Sequence, residues 1–185
     1  MTKTQRILAL CVCLLFLSLA CGGKTSKARP YDGEGFTFTI PAGWGTMQEV
    51  WGDKAVTGQE YYGLRVQELV MIQYPPKQGK GNIFFAVASS PLDEGQTLES
   101  RFTEIYEDPL PEIRDESRQS FELGQYSGFE ITYERPWGEP WWKFRDIWLD
   151  KDGMIYVLSF HCSAGSYEAN NVTFDQILES FQFTN

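Results

Sequence analysis

Histidine is almost absent from this sequence. His161 is the single histidine among 185 residues, and it stands beside Cys162. A cysteine–histidine dyad needs its thiol within hydrogen-bond reach of the imidazole, but neighbouring residues on a strand point to opposite faces of the sheet. Zinc sites are built mainly from imidazole and thiolate ligands. The other cysteines stand at positions 11, 13 and 21, where we expect a signal peptide and a lipidated residue, so His161 and Cys162 cannot supply the usual ligand set. We therefore predict no catalytic dyad, no zinc site and no cofactor.

Two other kinds of site are incomplete as well. Ser159 and His161 would share one face of a strand, but a catalytic triad also needs a positioned carboxylate and an oxyanion hole, and nothing in the chain resembles a nucleophile elbow. Residues 150–153, Asp-Lys-Asp-Gly, contain calcium-type ligands but lack the later ligands and the bidentate glutamate of a calcium loop. We predict that the protein is not an enzyme and holds no metal.

Basic residues are also scarce. The chain has 16 lysines and arginines against 25 aspartates and glutamates, a formal net charge of −9. Lys3 and Arg6 belong to the segment that we expect to be removed, so the mature protein would be more acidic still. An acidic balance argues against nucleic acid as a partner and against charge-driven binding to anionic lipid. The acid-rich residues 93–116 are typical of a solvated helix face and its loops.

The first twenty residues have the pattern of a targeting segment. Lys3 and Arg6 precede the apolar run Ile7–Leu19. This run is too short for an ordinary membrane-spanning helix, which needs about 20 residues, but its length is typical of the apolar region of a signal peptide. We predict a signal peptide over residues 1–20.

The residues around Cys21 resemble the lipobox of bacterial lipoproteins. Residues 19–22 read Leu-Ala-Cys-Gly, and in that pattern the signal peptidase cuts before a cysteine whose sulfur has been acylated. Ser18 departs from the pattern, which usually has an aliphatic residue there. The resemblance implies lipidation at Cys21. An ordinary secretory signal or an uncleaved anchor is the alternative.

A lipid anchor implies a location and a domain plan. We expect residues 21–30 to form the lipidated polar tether and residues 31–185 a single domain. The domain would be attached in the bacterial cell envelope, on the outer membrane facing the periplasm or on the outer face of the cytoplasmic membrane, and its membrane attachment would depend on the acyl chains. Because Cys11 and Cys13 fall in the signal peptide, Cys162 would be left without a disulfide partner, and the core must hold the fold.

Strand patterns dominate the domain. Phe129, Ile131 and Tyr133 alternate with polar residues, a period of two that is typical of a strand with one buried face. The Asp-Gly sequence within residues 150–153 lies between two apolar runs and predicts a hairpin turn. The run Met154–Cys162 is nearly all apolar, which predicts a central strand covered on both faces.

Two helices are predicted to pack on these strands. Apolar residues recur at helical spacing over residues 98–106. A second, short helix is predicted to begin at Thr173, which with Gln176 fits a capping box, while Val172 and Ile177 fit the accompanying hydrophobic staple. The sheet is the apolar surface available to both helices, so the predicted fold class is α+β.

Two stretches of the domain resemble the PsbP-like family. They are Phe-Thr-Phe-Thr-Ile-Pro-Ala-Gly-Trp at residues 36–44 and the close of the chain, from residues 156–160 through 174–183. The resemblance extends over most of residues 31–183 and implies an antiparallel sheet with helices packed on it, an α/β/α sandwich. Members of this family are mostly non-catalytic assembly or stabilising factors, or envelope lipoproteins. The resemblance therefore implies no catalytic residue.

The most unusual stretch is the predicted loop 135–144. It contains Trp137, Trp141 and Trp142, and Arg135 opens it. Tryptophan offers a large contact area at low entropic cost, which suits recognition of a protein, peptide or sugar. These four residues are our candidate patch for a partner or ligand. The alternative is that the loop folds back and the tryptophans cap the open end of the sheet.

These patterns together predict a non-catalytic bacterial envelope lipoprotein that acts through contacts with an envelope protein. The alternative is a lipoprotein that binds a small ligand or a carbohydrate with the loop 135–144. An enzyme is least favoured.

Overall fold

The computed structural model describes residues 27–51, 60–61, 64–65, 68–74, 82–107, 113–136 and 140–184. The predicted signal peptide and Cys21 lie outside these residues. Strands occupy β1 (Arg29–Gly33), β2 (Phe36–Ile40), β3 (Gly45–Thr46), β4 (Glu60–Tyr61), β5 (Leu64–Arg65), β6 (Glu68–Tyr74), β7 (Ile83–Pro91), β8 (Arg114–Leu123), β9 (Tyr126–Pro136), β10 (Trp141–Lys151), β11 (Met154–Ser163) and β12 (Gln182–Phe183). The helices are α1 (Met47–Trp51), α2 (Leu98–Glu107) and α3 (Tyr167–Ser180), and a 3-10 turn, Ala164–Ser166, leads into α3.

The central sheet has seven antiparallel strands in the order β3-β6-β7-β11-β10-β9-β8. A smaller sheet of three strands, β1-β2-β12, lies beside it, and β4 pairs with β5. Each of the last four strands of the central sheet pairs with its neighbour along the chain, because β8, β9, β10 and β11 are joined as successive hairpins. This arrangement confirms the predicted α+β class, an antiparallel sheet with helices packed on it.

The predicted hairpin turn and central strand are both present. Asp152 and Gly153 adopt positive φ angles of 55° and 79° between β10 and β11. Such angles at both central residues give the turn whose twist matches that of the flanking strands. β11 lies between β7 and β10, and Ile155–Cys162 are all buried. The apolar run thus became a strand covered on both faces.

The side chains of the central sheet are divided between two faces, because they alternate along each strand. We call the apolar residues on the face covered by α3 and the three-stranded sheet the first core. Its buried phenylalanine rings are Phe36, Phe38, Phe85, Phe160, Phe174 and Phe181. We call those on the opposite face, covered by α2, the second core. Its buried members are Ala88, Leu98, Phe102, Ile131, Tyr133, Phe144, Trp148, Ile155 and Val157.

The last helix begins earlier than predicted. α3 starts at Tyr167, six residues before the predicted cap Thr173, which lies inside the helix. Val172 is 59% exposed, so it does not form the predicted staple. Phe174 and Ile177 are buried against the sheet as expected. The prediction failed because the capping pattern was matched inside a longer helix whose first two turns carry polar residues and few apolar ones.

Candidate functional site

The predicted patch lies where β9 ends and β10 begins. The structure places Arg135 in β9 and both Trp141 and Trp142 in β10, and the two strands stay paired up to Trp141 opposite Pro136. Among the described residues of the range 135–144, all but Pro140 lie in strands, so the prediction of a long loop there is wrong. Trp137 lies outside the described residues. Trp141 and Trp142 were mistaken for loop residues because they are the first two residues of β10, so no alternating pattern precedes them in the sequence.

Arg135 and Trp142 share the face of the second core. They lie directly opposite each other in the β9–β10 pairing. The guanidinium carbon of Arg135 is 4.6 Å from the centre of the Phe144 ring. The ring of Trp142 lies 5.9 Å from that of Phe84 and 6.0 Å from that of His161, centre to centre. Both patch residues are half-buried, so they extend the second core to the end of the sheet.

Trp141 points to the opposite face, since it is the strand neighbour of Trp142. The guanidinium carbon of Arg114 lies 3.8 Å above the centre of the Trp141 ring, a cation–π contact. Arg114 also donates hydrogen bonds to Oε2 of Glu134 at 2.9 and 3.0 Å. The end of the sheet therefore separates the three described patch residues, with Arg135 and Trp142 on one face and Trp141 on the other.

Stacked rings from four neighbouring strands cross the second core. Tyr133, Phe144, His161 and Phe84 follow one another across β9, β10, β11 and β7 in register. Their ring centres are 5.1, 5.0 and 5.1 Å apart, and successive planes differ by 7°, 21° and 23°. These distances are in the favourable range for aromatic pairs. We call this row the aromatic ladder; its histidine takes the place of an aromatic core residue.

Asp146 is a carboxylate buried in the second core. Its Oδ2 accepts hydrogen bonds from the hydroxyls of Tyr133 at 2.8 Å and Tyr106 at 3.0 Å. Burial raises the pKa of Asp146 to about 6, although the surrounding hydroxyl groups and the positive charge of Arg135 act to lower it. Because Tyr106 belongs to α2 and Tyr133 to β9, this one carboxylate connects the helix to the sheet beneath it.

Ser159 and His161 continue the polar cluster on β11. Ser159 pairs with Asp146 across the strands, and its Oγ is 3.4 Å from Nδ1 of His161. Burial, with the charge of Arg135, lowers the pKa of His161 to about 3, so the imidazole is neutral at pH 7. A serine nucleophile needs the imidazole between carboxylate and hydroxyl, whereas here the hydroxyl lies between the other two. With each side chain at most 1% exposed, this arrangement is that of a structural cluster.

Cys162 faces the first core, away from His161. It is completely buried, and burial raises the pKa of its thiol to about 12. The prediction that His161 and Cys162 point to opposite faces is therefore confirmed. A thiol that stays protonated at neutral pH is a poor nucleophile, so Cys162 acts as an apolar core residue.

The described part of the acid-rich segment carries exposed ion pairs. Glu99 accepts a hydrogen bond from Arg118 at 2.9 Å, and Glu104 pairs with Arg101 at 2.6 Å. Within the described ranges there is no group of three or more His, Cys, Asp or Glu side chains placed to hold a metal ion. Across the same ranges, no helix has the length and apolar character needed to cross a membrane.

Sequence reasoning missed Asp146, although a signal was present. Phe144, Asp146 and Trp148 occupy alternate positions of one strand, so a strand reading puts the aspartate on the same face as two large aromatic residues. A charged residue at a core-facing position is rarely fully buried without partners. The signal was overlooked because residues 135–144, just before Asp146, were predicted to be a loop.

Comparisons with known proteins give matches in structure. No protein-family model and no curated protein matches the chain. CyanoP, the cyanobacterial PsbP of Synechocystis sp., has a TM-score of 0.55 at 15% identity, over 89% of this chain and 98% of CyanoP. The fold is PsbP-like.

Two further structures share the PsbP-like fold of this chain. LpqN of Mycobacterium tuberculosis has a TM-score of 0.52 at 13% identity, over 89% of this chain and 88% of LpqN. Protein PA94 of Pseudomonas aeruginosa has a TM-score of 0.57 at 10% identity, over 86% of this chain and 99% of PA94. At identities this low the likeness shows the fold alone.

Proposed function

We propose that the protein is a non-catalytic lipoprotein of the bacterial envelope, anchored through Cys21, that acts through contacts with another envelope protein. One observation carries the non-catalytic part. The side chains best suited to acid–base or nucleophilic chemistry in the sheet, Asp146, Ser159, His161 and Cys162, are at most 1% exposed. Groups that neither solvent nor substrate can reach stabilise a fold; they do not turn over a substrate.

The fold supports the envelope location by analogy. LpqN, one of the structures that share the fold, is described as involved in cell envelope biogenesis. Residues 1–22 of this chain independently carry the signal-peptide and lipobox patterns. These patterns lie in the first residues of the chain, whereas the fold belongs to the domain that follows them, so the two observations support the envelope location independently.

The contact surface that we propose is the end of the sheet with Arg135, Trp141 and Trp142. Stacking of a sugar needs an open aromatic face, but Arg114 covers one face of Trp141 and Trp142 packs on Phe84. Half-buried tryptophans beside arginines are typical of protein interfaces, where these residue types contribute most of the binding energy. A protein contact therefore fits the two described tryptophans better than a carbohydrate does.

The anchor is tested by metabolic labelling with an alkyne-bearing fatty acid. Wild-type protein should carry the label and sediment with membranes, whereas Cys21→Ser should lose both properties because the acylated sulfur is gone. Cys162→Ser is the matched control and should keep both. A labelled Cys21→Ser variant would disprove the anchor.

The contact surface is tested by cross-linking in native membranes. Trp141→Ala should lose a protein captured by wild type, while Tyr126→Ala should retain it. Tyr126 is a suitable control because it is also half-buried and lies at the opposite end of β9. Circular dichroism establishes that both variants fold. Identical captures from all three proteins would exclude Trp141 from the contact.

A further inference from the structure

β8 is the longer of the two strands that end the central sheet. The sheet runs from β3, with two residues, to β8, with ten. Among the described strands, only β9 pairs with β8, and it occupies one edge of it. The five residues from Glu116 to Ser120 are all exposed. The backbone groups of β8 that point away from β9 are therefore a template for pairing with a further strand.

β8 has a regular segment that a second copy of the chain can match. Natural sheets protect their edges with bulges and charged side chains, and β8 has both. Its bulge lies at the start of the strand, where the register with β9 shifts between Arg114 and Ser117. From Ser117 to Leu123 the pairing with β9 is regular. This regular segment has seven residues with Ser120 at its centre, so two copies of it can pair about a twofold axis through Ser120.

The charges of the regular segment complement those of a second copy in that register. Antiparallel pairing about Ser120 places Arg118 directly opposite Glu122 of the second copy. The twofold axis repeats this contact, because each side of such an interface presents the same residues. Opposite charges directly across two strands stabilise the pairing, and like charges oppose it. Two ion pairs would therefore form across the axis.

The neighbouring registers lack this complementarity. Moving the axis by one residue to Gln119 would set Glu116 opposite Glu122, where like charges repel. Moving it to Phe121 would leave Arg118 opposite an uncharged residue. The charged side chains of β8 thus favour the register centred on Ser120 over the two registers beside it.

Arg118 is already held in place for this contact. Its guanidinium carbon lies 4.3 Å from the centre of the Phe102 ring and 4.2 Å from that of Phe129. Its Nη2 donates to both carboxylate oxygens of Glu99 at 2.9 Å. A guanidinium has five N–H donors, so Glu122 of the second copy can bind beside Glu99. Because the side chain is positioned in advance, the new pair costs less conformational entropy.

We propose that the protein forms a homodimer in which β8 pairs with β8 of a second copy, antiparallel and centred on Ser120. The two seven-stranded sheets then form one continuous sheet, and two Arg118–Glu122 ion pairs set the register. One strand edge from each copy is a small interface, so we expect a weak dimer that forms at high protein concentration. The dimer depends neither on the Cys21 anchor nor on the contact at Trp141.

Disulfide trapping in the full-length protein tests the register. Residues directly opposite in an antiparallel pair have Cα atoms about 4.5 or 5.5 Å apart, a separation that a disulfide can span. Ser120→Cys should therefore cross-link with its copy when the protein is oxidised with copper phenanthroline. Ser117→Cys is the matched control, since it is also exposed but lies about 20 Å from its own copy in this register. Cys162 does not interfere because it is buried.

Charge reversal tests the ion pairs. In the Ser120→Cys protein, Arg118→Glu and Glu122→Arg should each slow the cross-linking about tenfold, because each sets like charges opposite each other. The double reversal Arg118→Glu/Glu122→Arg should restore the rate. Glu99→Gln removes the carboxylate that Arg118 binds within its own chain, and it should leave the cross-linking intact. Circular dichroism establishes that every variant folds.

Sedimentation equilibrium of the wild type, purified in a mild detergent, gives a readout that needs no cysteine. Its mass should rise from monomer to dimer with concentration, and Arg118→Glu should shift this rise to higher concentration. A wild type that stays monomeric up to submillimolar concentration would overturn the dimer. Cross-linking of Ser117→Cys as fast as that of Ser120→Cys, or a double reversal that stays slow, would overturn this register. None of these outcomes affects the tests of the lipid anchor or of Trp141.

Discussion

On the face of the central sheet covered by α3, Phe160 and Phe174 stack with ring centres 5.1 Å apart in a core dominated by phenylalanine. On the face covered by α2, the carboxylate of Asp146 lies among tyrosine hydroxyls at a comparable depth. The strands that supply both faces are the same, so the difference comes from which residues alternate along them. One sheet thus supports an apolar core on one side and a partly polar core on the other.

The charged side chains beside the first core differ from Asp146 because they remain partly exposed to water. Arg145 projects from the face of the first core and pairs with Glu130 at 2.8 Å and Asp175 at 2.6 Å. Its side chain retains 14% exposure and that of Asp175 46%, so water still reaches the group. Asp146 in the second core has no exposure. A carboxylate that ionises where water cannot reach it lacks the hydration that stabilises its charge in solution, so the second core should respond to pH and the first should not.

The largest expected effect is on the first core. Phe174→Ala should lower the free energy of unfolding by about 3–5 kcal/mol, because it removes a ring packed between Phe85 and Phe160. Phe102→Ala in the second core should cost less, since α2 is a short helix of ten residues that can settle onto the smaller side chain. Urea unfolding measures both. Equal losses would mean that the two cores are equally rigid.

His161→Phe should reveal the pH response of the ladder. His161 has a pKa of about 3 when folded and about 6.5 when unfolded, so its contribution to stability is present above pH 6.5 and is lost as the pH falls toward 3. Between pH 7 and pH 4 the wild type should lose about 3 kcal/mol more unfolding free energy than the variant. Urea unfolding at the two pH values measures the difference.

Parallel curves for wild type and His161→Phe across that range would show that the imidazole gains a proton in the folded protein. Phenylalanine is the suitable replacement because the flanking rings of Phe84 and Phe144 already stack on the imidazole. The variant should therefore fold and keep the ladder.

Asp146→Asn should give a response of the opposite sign. The folded pKa of Asp146, about 6, lies above its ordinary value of 3.8, so ionisation destabilises the fold and acidification relieves the cost. Relative to the variant, the wild type should gain about 2 kcal/mol of unfolding free energy from pH 7 to pH 4. Asparagine keeps an oxygen to accept the hydroxyl protons of Tyr106 and Tyr133. A pH-independent difference between the two proteins would contradict the assignment of a buried ionisable carboxyl.

The smallest expected effect is at the rim of the first core. Asp175→Asn should cost about 0.5–1 kcal/mol, because the ion pair with Arg145 is partly exposed, and added salt should reduce the difference from wild type. Val172→Ala, on the same helix and 59% exposed, is the control and should change stability by less than about 0.5 kcal/mol. A loss from Asp175→Asn as large as that from Phe174→Ala would show that the first core depends on charge after all.

The sequence was most informative where a strand has one kind of residue throughout or a turn has strict requirements. The β10–β11 turn and the fully buried β11 were predicted because Asp-Gly and an unbroken apolar run each have few alternatives. The start of α3 was predicted wrongly because a capping pattern can also occur inside a helix. Local patterns predict that a helix or strand exists more reliably than they predict the residue at which it begins.

The candidate site was predictable in composition and not in arrangement. The sequence draws attention to Trp141 and Trp142, but whether they share a face depends on where β10 begins, and a shift of one residue reverses every side chain of a strand. The contact of Asp146 with Tyr106 joins residues 40 positions apart. This contact forms only when α2 packs across the sheet, so no periodicity in the sequence indicates it.

The aromatic ladder gives the molecule a built-in spectroscopic reporter. His161 is the chain's single histidine, and its ring lies between those of Phe84 and Phe144 at 5.1 and 5.0 Å. Protons held over the faces of aromatic rings are shielded by the ring currents. The carbon-bound imidazole protons should therefore resonate upfield of their usual positions in a proton magnetic resonance spectrum. Their return to ordinary shifts would signal opening of this half of the molecule without isotopic labelling.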